Sequence, residues 1–431
     1  MLMQIVKYPD RKSLNRLLQR PLMDSSTQES TVERILRRVK KKGEEAVKEY
    51  TRQFDGFFPE NLEVSTSDIE RAAGQISGEL KQAMERAATN IRNFHEAQWP
   101  ESPVVETSPG VECSIRYLPL ENVGLYIPGG TAPLFSTVLM LAIPARVAGC
   151  REVIMCTPPD KNGKVHPAIL YAAFLAGVQR VFRCGGAQAV AAMAWGAGSV
   201  PAVDKIFGPG NRYVTMAKQL VNREGVAIDL PAGPSEVLVV ADGTADPEFV
   251  AADLLSQAEH GPDSQVLLVT TEESVIASVL EETEKQLESL PRKEIAKKVL
   301  ENSRAFLLRE RGEVMDLVNR YAPEHLILQT ARPEELAERV VNAGSVFIGS
   351  YTPESAGDYA SGSNHTLPTN GFARAWSGVT LLSFMKSVTF QKMSRDGLLG
   401  LGPVIEAMAG AEQLEGHRNA VTLRLNKIRR S

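Results

Sequence analysis

Four of the six histidines stand close to carboxylate or amide side chains in the C-terminal part of the chain. Gln257 and His260 lie in Gln257-Ala-Glu-His260, a spacing that puts both on one face of a helix. Glu324 and His325 are adjacent after Pro323, so two proton-transfer groups leave the backbone at one point. Asp358 and His365 bracket a glycine- and serine-rich stretch starting at Glu354, and His417 closes Glu412-Gln-Leu-Glu-Gly-His417. Singly, each histidine reads as a surface or hydrogen-bonded group; together with their acidic neighbours they suit a borderline divalent ion such as zinc. The four cysteines, Cys113, Cys150, Cys156 and Cys184, form no C-x-x-C pair. That argues against a thiolate zinc cluster and a disulfide framework, so any metal is held by nitrogen and oxygen.

The elements that must position these groups can be read from periodicity. Residues 24–56 and about 69–97 carry helical stripes. From Asn122 short apolar runs alternate with helices: strands at 123–127, 152–156, 180–183 and 205–207, with helices at 136–148, 166–176 and 187–194. A second alternating block has strands at 236–241, 265–270, 305–308 and 345–348, a helix at 247–259 and a long charged helix at 273–302. The segment after Phe384 reads as helical. This pattern predicts an α/β protein with two Rossmann-like doubly wound sheets of related design, although no residue-level repeat is present. Glycine turns at Pro128-Gly-Gly130 and Gly208-Pro-Gly210 could present backbone N–H groups to phosphate, yet neither is the G-x-G-x-x-G fingerprint.

With 431 residues the chain is long enough for about three domains or one elaborate fold. A net charge of -4 gives no reason to expect nucleic acid or an anionic membrane as partner. Charged residues among the first eleven do not suit a signal peptide, and no apolar run approaches the ~20 residues of a membrane span. A soluble, cytoplasmic enzyme is the expectation.

The chain resembles the histidinol dehydrogenase family. The resemblance is carried by Ile228-Asp-Leu-Pro-Ala-Gly-Pro-Ser-Glu-Val-Leu-Val-Val-Ala241 and Asp253-Leu-Leu-Ser-Gln-Ala-Glu-His260. Leu125-Tyr-Ile-Pro-Gly-Gly130, Phe207-Gly-Pro-Gly-Asn211, Ala322-Pro-Glu-His325 and Gly357-Asp-Tyr-Ala360 follow the same family pattern, over essentially the whole chain.

The resemblance implies one zinc ion per subunit on Gln257, His260, Asp358 and His417, and NAD against Tyr126, Gln188 and Asn211. It implies oxidation of L-histidinol through L-histidinal to L-histidine, the last steps of histidine biosynthesis, with His325 as general base and Glu324 activating water. Ser235, His325, His365, Glu412 and the zinc ligands would contact substrate, leaving His95 and His166 as bystanders. A homodimer with shared active sites is implied, in which Glu412 and His417 serve the partner. The expected division is an N-terminal arm (1–22), a discontinuous α/β domain (23–105 with 236–380) carrying most zinc and catalytic residues, an NAD-side α/β domain (106–235) and a swapped helical segment (381–431). Rival readings are the same fold acting on another small alcohol such as a sulfonated propanediol, a zinc hydrolase using Glu324, and a non-catalytic metabolite-binding regulator.

Overall fold

The apolar runs become parallel strands and the amphipathic stretches become covering helices, in a computed structural model that describes residues 2–20, 26–129, 132–231 and 233–430. Along the chain run β1 (Gln4–Lys7), β2 (Val104–Ser108), β3 (Val111–Pro119), β4 (Asn122–Tyr126), β5 (Glu152–Thr157), β6 (Arg180–Arg183) and β7 (Lys205–Phe207). They are followed by β8 (Ala227–Ile228), β9 (Glu236–Ala241), β10 (Gln265–Thr270), β11 (Arg304–Leu307), β12 (His325–Gln329), β13 (Ser345–Ile348) and β14 (Met385–Met393). By contacts the chain divides into two compact units, Met1–Gln98 with Leu120–Phe384, and Trp99–Pro119 with Met385–Ser431.

The larger unit holds both doubly wound sheets. One is six-stranded in the order β1-β11-β10-β9-β12-β13, the other five-stranded in the order β6-β5-β4-β7-β8, and every pairing is parallel. Glu-Val-Leu-Val-Val-Ala in β9 and Gln-Val-Leu-Leu-Val-Thr in β10 are buried at every position, which is why they read as continuous rather than alternating apolar runs. Val237, Val239, Leu268 and Ile327 pack into the core on one face of the six-stranded sheet, Leu238, Val240, Leu267 and Leu326 into that on the other.

Several sequence expectations are corrected. The helix expected over 24–56 is two, Ser26–Lys42 and Glu44–Asp55, parted at Gly43 with φ +59°; positions 24 and 25 lie outside the described residues. The one expected over about 69–97 is Thr66–Ala72 and Gly78–Glu96, and the charged helix at 273–302 is Glu273–Leu287 and Lys293–Glu301, with Pro291 in the break. The helices between 26 and 96 pack on those around the five-stranded sheet, whereas the expected boundaries place residues 23–105 with the six-stranded one. β1 and β12 are additional parallel strands; β1 joins the sheet edge beside β11.

In the smaller unit, β14, β3 and β2 form an antiparallel sheet in that order, followed by helices Arg395–Ala411 and Glu415–Arg430. The C-terminal segment is therefore mostly helical but opens on a nine-residue strand. Eight of the nine β14 residues are partly or fully exposed within the chain, so no buried face imposed a period-two pattern on the sequence. The two helices meet where Gly402 leaves room for Leu425, whose Cδ1 would lie 2.9 Å from any added Cβ.

Candidate functional site

β9 and β12 lie side by side, with His325 opposite Val237. The helix Arg311–Tyr321 ends at Ala322, held left-handed at φ +54°, and Pro323 turns the chain into Glu324 and β12. Glu324 and His325 thus sit where β9 and β12 begin, rather than beyond the carboxyl ends of the strands where open α/β sheets usually bind ligands. Glu236 holds both members through its backbone. Its N–H donates to Glu324 Oε2 at 2.8 Å, and its carbonyl oxygen lies 3.2 Å from His325 Nδ1.

Opposite this pair lies the short helix Glu354–Tyr359, which carries Glu354 and Asp358 four residues apart. His325 Nε2 is 3.7 Å from Asp358 Oδ1, and Nδ1 is 3.7 Å from Glu324 Oε2 and 3.9 Å from Glu354 Oε1. Burial pushes Glu324 and Glu354 each up to about 8. Burial also opposes charge on His325, but Glu324, Glu354 and Asp358 outweigh it and carry the imidazole up to about 10. Burial would raise Asp358 too; the neighbouring His325 imidazole instead holds its carboxyl below the ordinary aspartate range. The imidazole is thus more basic than the ordinary value of ~6.5 expected from residue type, because three carboxylates surround it.

One donor atom each from His260, Glu354 and Asp358 lies within 4.8 Å of the others, a spacing and donor chemistry that fit a divalent cation. The helix Pro247–Ala258 ends before His260, so Gln257 and His260 do not share a helix face as expected. Gly261-Pro262 cannot continue the helix, and His260 reaches the cluster from the loop. Gln257 is buried beside it; with its amide nitrogen toward the carboxylate it donates to Glu354, and its oxygen accepts from the Glu236 N–H at 3.1 Å. His365 ties the cluster to the helix Phe135–Ala148, its Nδ1 2.9 Å from the Asp358 carbonyl and its Nε2 3.1 Å from Thr137 Oγ1. Ser235 stands immediately before β9, its carbonyl accepting from Gln265 N–H at 3.1 Å.

Residue type and motif passed over three contributors. Glu354 was visible as an acid four residues before Asp358 on one face of a short helix. Asp253 accepts from Gln329 Nε2 at 2.7 Å and so ties the Gln257 helix to β12; burial raises its carboxyl to about 6. Glu236 reads in sequence as one polar end of an apolar strand, and nothing local marks it.

At the five-stranded sheet lies a cavity of about 1180 Å³ lined by Tyr126, Pro158, Lys164, Gln188, Asn211 and Tyr213 among others. All three expected cofactor residues meet there. The Gln188 side chain is buried with neither its nitrogen nor its oxygen hydrogen-bonded among the described residues, which fits an amide reserved for a polar ligand such as NAD. Tyr126 OH accepts from Gly186 N–H at 3.1 Å. Asn211 caps the helix Arg212–Arg223 with Oδ1, so the glycine turn before it offers fewer free N–H groups than its sequence suggested. Gly208 N–H is likewise taken, donating to Asp229 Oδ2 at 2.7 Å. Gly130 of the other glycine turn lies outside the described residues.

Glu412 and His417 belong to the smaller unit, at the end of the helix Arg395–Ala411 and on the helix Glu415–Arg430, and both are exposed. The cation cluster found among the described residues comes from the larger unit and does not include them. Cys150, Cys156 and Cys184 are buried, and burial pushes the Cys150 thiol up to about 11, away from thiolate chemistry. No helix among the described residues is long and apolar enough to cross a membrane.

Residues 18–425 match the family model described as histidinol dehydrogenase. The chain is 57% identical over 428 residues to a histidinol dehydrogenase of Bacteroides thetaiotaomicron, covering 99% of this chain and 100% of that protein. It is 52% identical over 417 residues to one of Escherichia coli (strain K12), covering 96% of this chain and 95% of that protein. The crystal structure of histidinol dehydrogenase from Elizabethkingia anophelis superposes with a TM-score of 0.97 at 49% identity, covering 99% of each chain.

Proposed function

Because the chain belongs to the histidinol dehydrogenase family, we propose that the cluster at the start of β9 and β12 is where L-histidinol is oxidised, with Glu324 and His325 moving the protons. The chain is an NAD-dependent oxidoreductase of histidine biosynthesis that takes L-histidinol through L-histidinal to L-histidine, with zinc and NAD as cofactors. The observation that supports the placement of the chemistry is the convergence of an adjacent acid and imidazole with His260, Glu354 and Asp358.

Gln257, His260 and Asp358 would hold the zinc ion, with His417 as the fourth ligand. When bound, the ion would supply a positive charge to orient the substrate and to offset the carboxylates that make His325 so basic. Tyr126, Gln188 and Asn211 would hold NAD, which would supply the hydride acceptor for both oxidations.

His325 Nδ1 faces a carbonyl oxygen and so carries the hydrogen, leaving Nε2 to take the substrate's hydroxyl proton as the carbinol carbon gives up hydride. That proton passes on to solvent, restoring the base. Glu324, lifted by burial to about 8, is a carboxylate strong enough to take a proton from water near neutral pH. The hydroxide so formed adds to the aldehyde carbon, and His325 removes a proton from the hydrate as the second hydride leaves. Ser235, His365 and Glu412 would orient the substrate, Glu412 by accepting from its amine.

Glu412 and His417 are assigned to the active site of a partner subunit in a homodimer, which accounts for exposed residues on a unit separate from the other ligands. The cytoplasm is the proposed location. The test is to supply zinc-loaded protein with L-histidinol and NAD and follow NADH. Two NADH for each histidinol consumed is the expected result; no NADH, which a hydrolase or a binding regulator would give, overturns the reading.

A further inference from the structure

We propose that Arg20 is a positioning residue for the proton-transfer pair, acting through Glu236 and the turn that delivers Glu324. The inference rests on the functional reading above. Glu236 is the residue whose N–H holds Glu324 and whose carbonyl holds His325, so any tilt of its peptide units displaces both groups together. Its own side chain is therefore a lever on the site, and that side chain is fully engaged. Glu236 Oε1 accepts from Arg20 Nε at 2.5 Å and from Asn370 N–H at 2.9 Å, and Oε2 accepts from Arg20 Nη2 at 2.7 Å.

The same guanidinium reaches the other side of the pair. Arg20 Nη2 donates to the Tyr321 carbonyl at 2.9 Å and lies 3.5 Å from that of Ala322, at the left-handed turn two residues before Glu324. Its Cζ stacks 4.0 Å from the centre of the Tyr321 ring, while Tyr321 OH donates to Gln265 Oε1 at 2.8 Å. One planar fork thus ties the start of β9 to the turn into β12. Both side chains are largely buried, 14% and 3% exposed, so water does not substitute for the contacts. An ammonium could balance the charge of Glu236 but could not span carboxylate and carbonyl in one plane. Arg20 comes from the chain just after β1 and the helix Arg11–Leu17, which gives the N-terminal arm a part in catalysis beyond extending a sheet edge.

Arg20→Lys keeps a cation beside Glu236 and isolates the fork. The expected result is a folded protein with wild-type zinc content and histidinol KM within about twofold, whose kcat falls about tenfold or more in both half-reactions. Wild-type kcat in this variant overturns the inference. An Arg20→Met, Glu236→Gln double variant separates position from buried charge, since it leaves no unpaired ion. Its melting temperature should approach that of wild type while its kcat stays low; restored kcat would show that only charge balance mattered and would overturn the proposal. Wild type run in parallel keeps the two readings apart. A wild type that makes no NADH removes the functional reading and this inference with it, whereas an active wild type beside an equally active Arg20→Lys removes this inference alone.

Discussion

His325 Nδ1 lies 3.2 Å from the main-chain carbonyl oxygen of Glu236, and this contact assigns the two ring nitrogens to different tasks. A carbonyl oxygen can only accept, so the hydrogen of the neutral ring resides on Nδ1 and the lone pair on Nε2. Nε2 lies 3.7 Å from Asp358 Oδ1, one of the three donors of the cation cluster. The backbone of one strand thereby presets the tautomer of the imidazole proposed as base on its neighbour. Because the same Glu236 also donates to Glu324 at 2.8 Å, the two proposed proton-transfer groups share one support, yet their proposed steps differ and can be separated by mutation.

Glu324→Gln should therefore leave alcohol oxidation within about threefold of wild type while aldehyde oxidation falls about 100-fold or more, the usual size of a general-base contribution. A base must be ionised to act, and burial places Glu324 at about 8, so wild-type aldehyde oxidation should rise with pH up to that region. The glutamine variant should lose that limb of the profile. Half-reactions started separately from histidinol and histidinal make the comparison. Equal loss in both would remove the water-activating role.

His417 is exposed on the final helix of the smaller unit, and the cation cluster found among the described residues does not include it. His417→Asn should still fold, and should lower zinc affinity at least about tenfold by removing a nitrogen donor. Zinc retained after dialysis against a chelator of known affinity reports this directly. Full stoichiometric retention at every chelator concentration would take His417 out of the ligand set.

Most of the fold was legible because its signals are local. β9 and β10 are unbroken apolar runs with bounds visible in the sequence, and Gly-Pro punctuation marks the loops around them. What escaped depends on distant partners. β1 is a four-residue edge strand with no fully buried position, identifiable only by its register with β11. β14 has one buried residue in nine and pairs with β3 from far earlier in the chain. Within the site, Glu324 and His325 announce themselves by adjacency and family motif. Glu236 and Arg20 act through a carbonyl, an N–H and a fork between positions far apart in sequence, for which residue type carries no mark.

Asp55 ends the helix Glu44–Asp55 and lines the cavity proposed for NAD, with a buried Oδ2 that has no hydrogen-bond partner among the described residues. Burial lifts its carboxyl to about 6, above the unfolded value near ~3.9. A raised folded-state value means that this group's stabilising effect is complete below about pH 4 and lost as the pH rises through 6, where the folded protein must hold a poorly solvated charge. Asp55→Asn should accordingly raise the melting temperature at pH 8 and leave it nearly unchanged at pH 4. Melting curves of the cofactor-free protein at both pH values test this, and an equal shift at both would exclude ionisation as the cause.

Lys218 and Asp229 form a buried ion pair, 5% and 1% exposed, beneath the Gly208-Pro-Gly210 turn. Lys218 Nζ donates to the Gly208 carbonyl at 2.8 Å, and Asp229 accepts from the N–H groups of Gly208 and Leu230, each at 2.7 Å. Gly208 itself stands at φ +125°, where an added Cβ would lie 2.0 Å from the Tyr126 carbonyl oxygen, so the pair holds a turn that only glycine fits against β4. Lys218→Met leaves Asp229 charged and partly unpaired in the core, a change that costs about 3–5 kcal/mol. The denaturation midpoint should fall accordingly at unchanged slope. Since Asn211 follows the turn directly and lines the cavity with Tyr126, KM for NAD should rise while KM for histidinol holds. A fall in stability with both KM values unchanged would confine the pair to folding and separate the turn from cofactor binding.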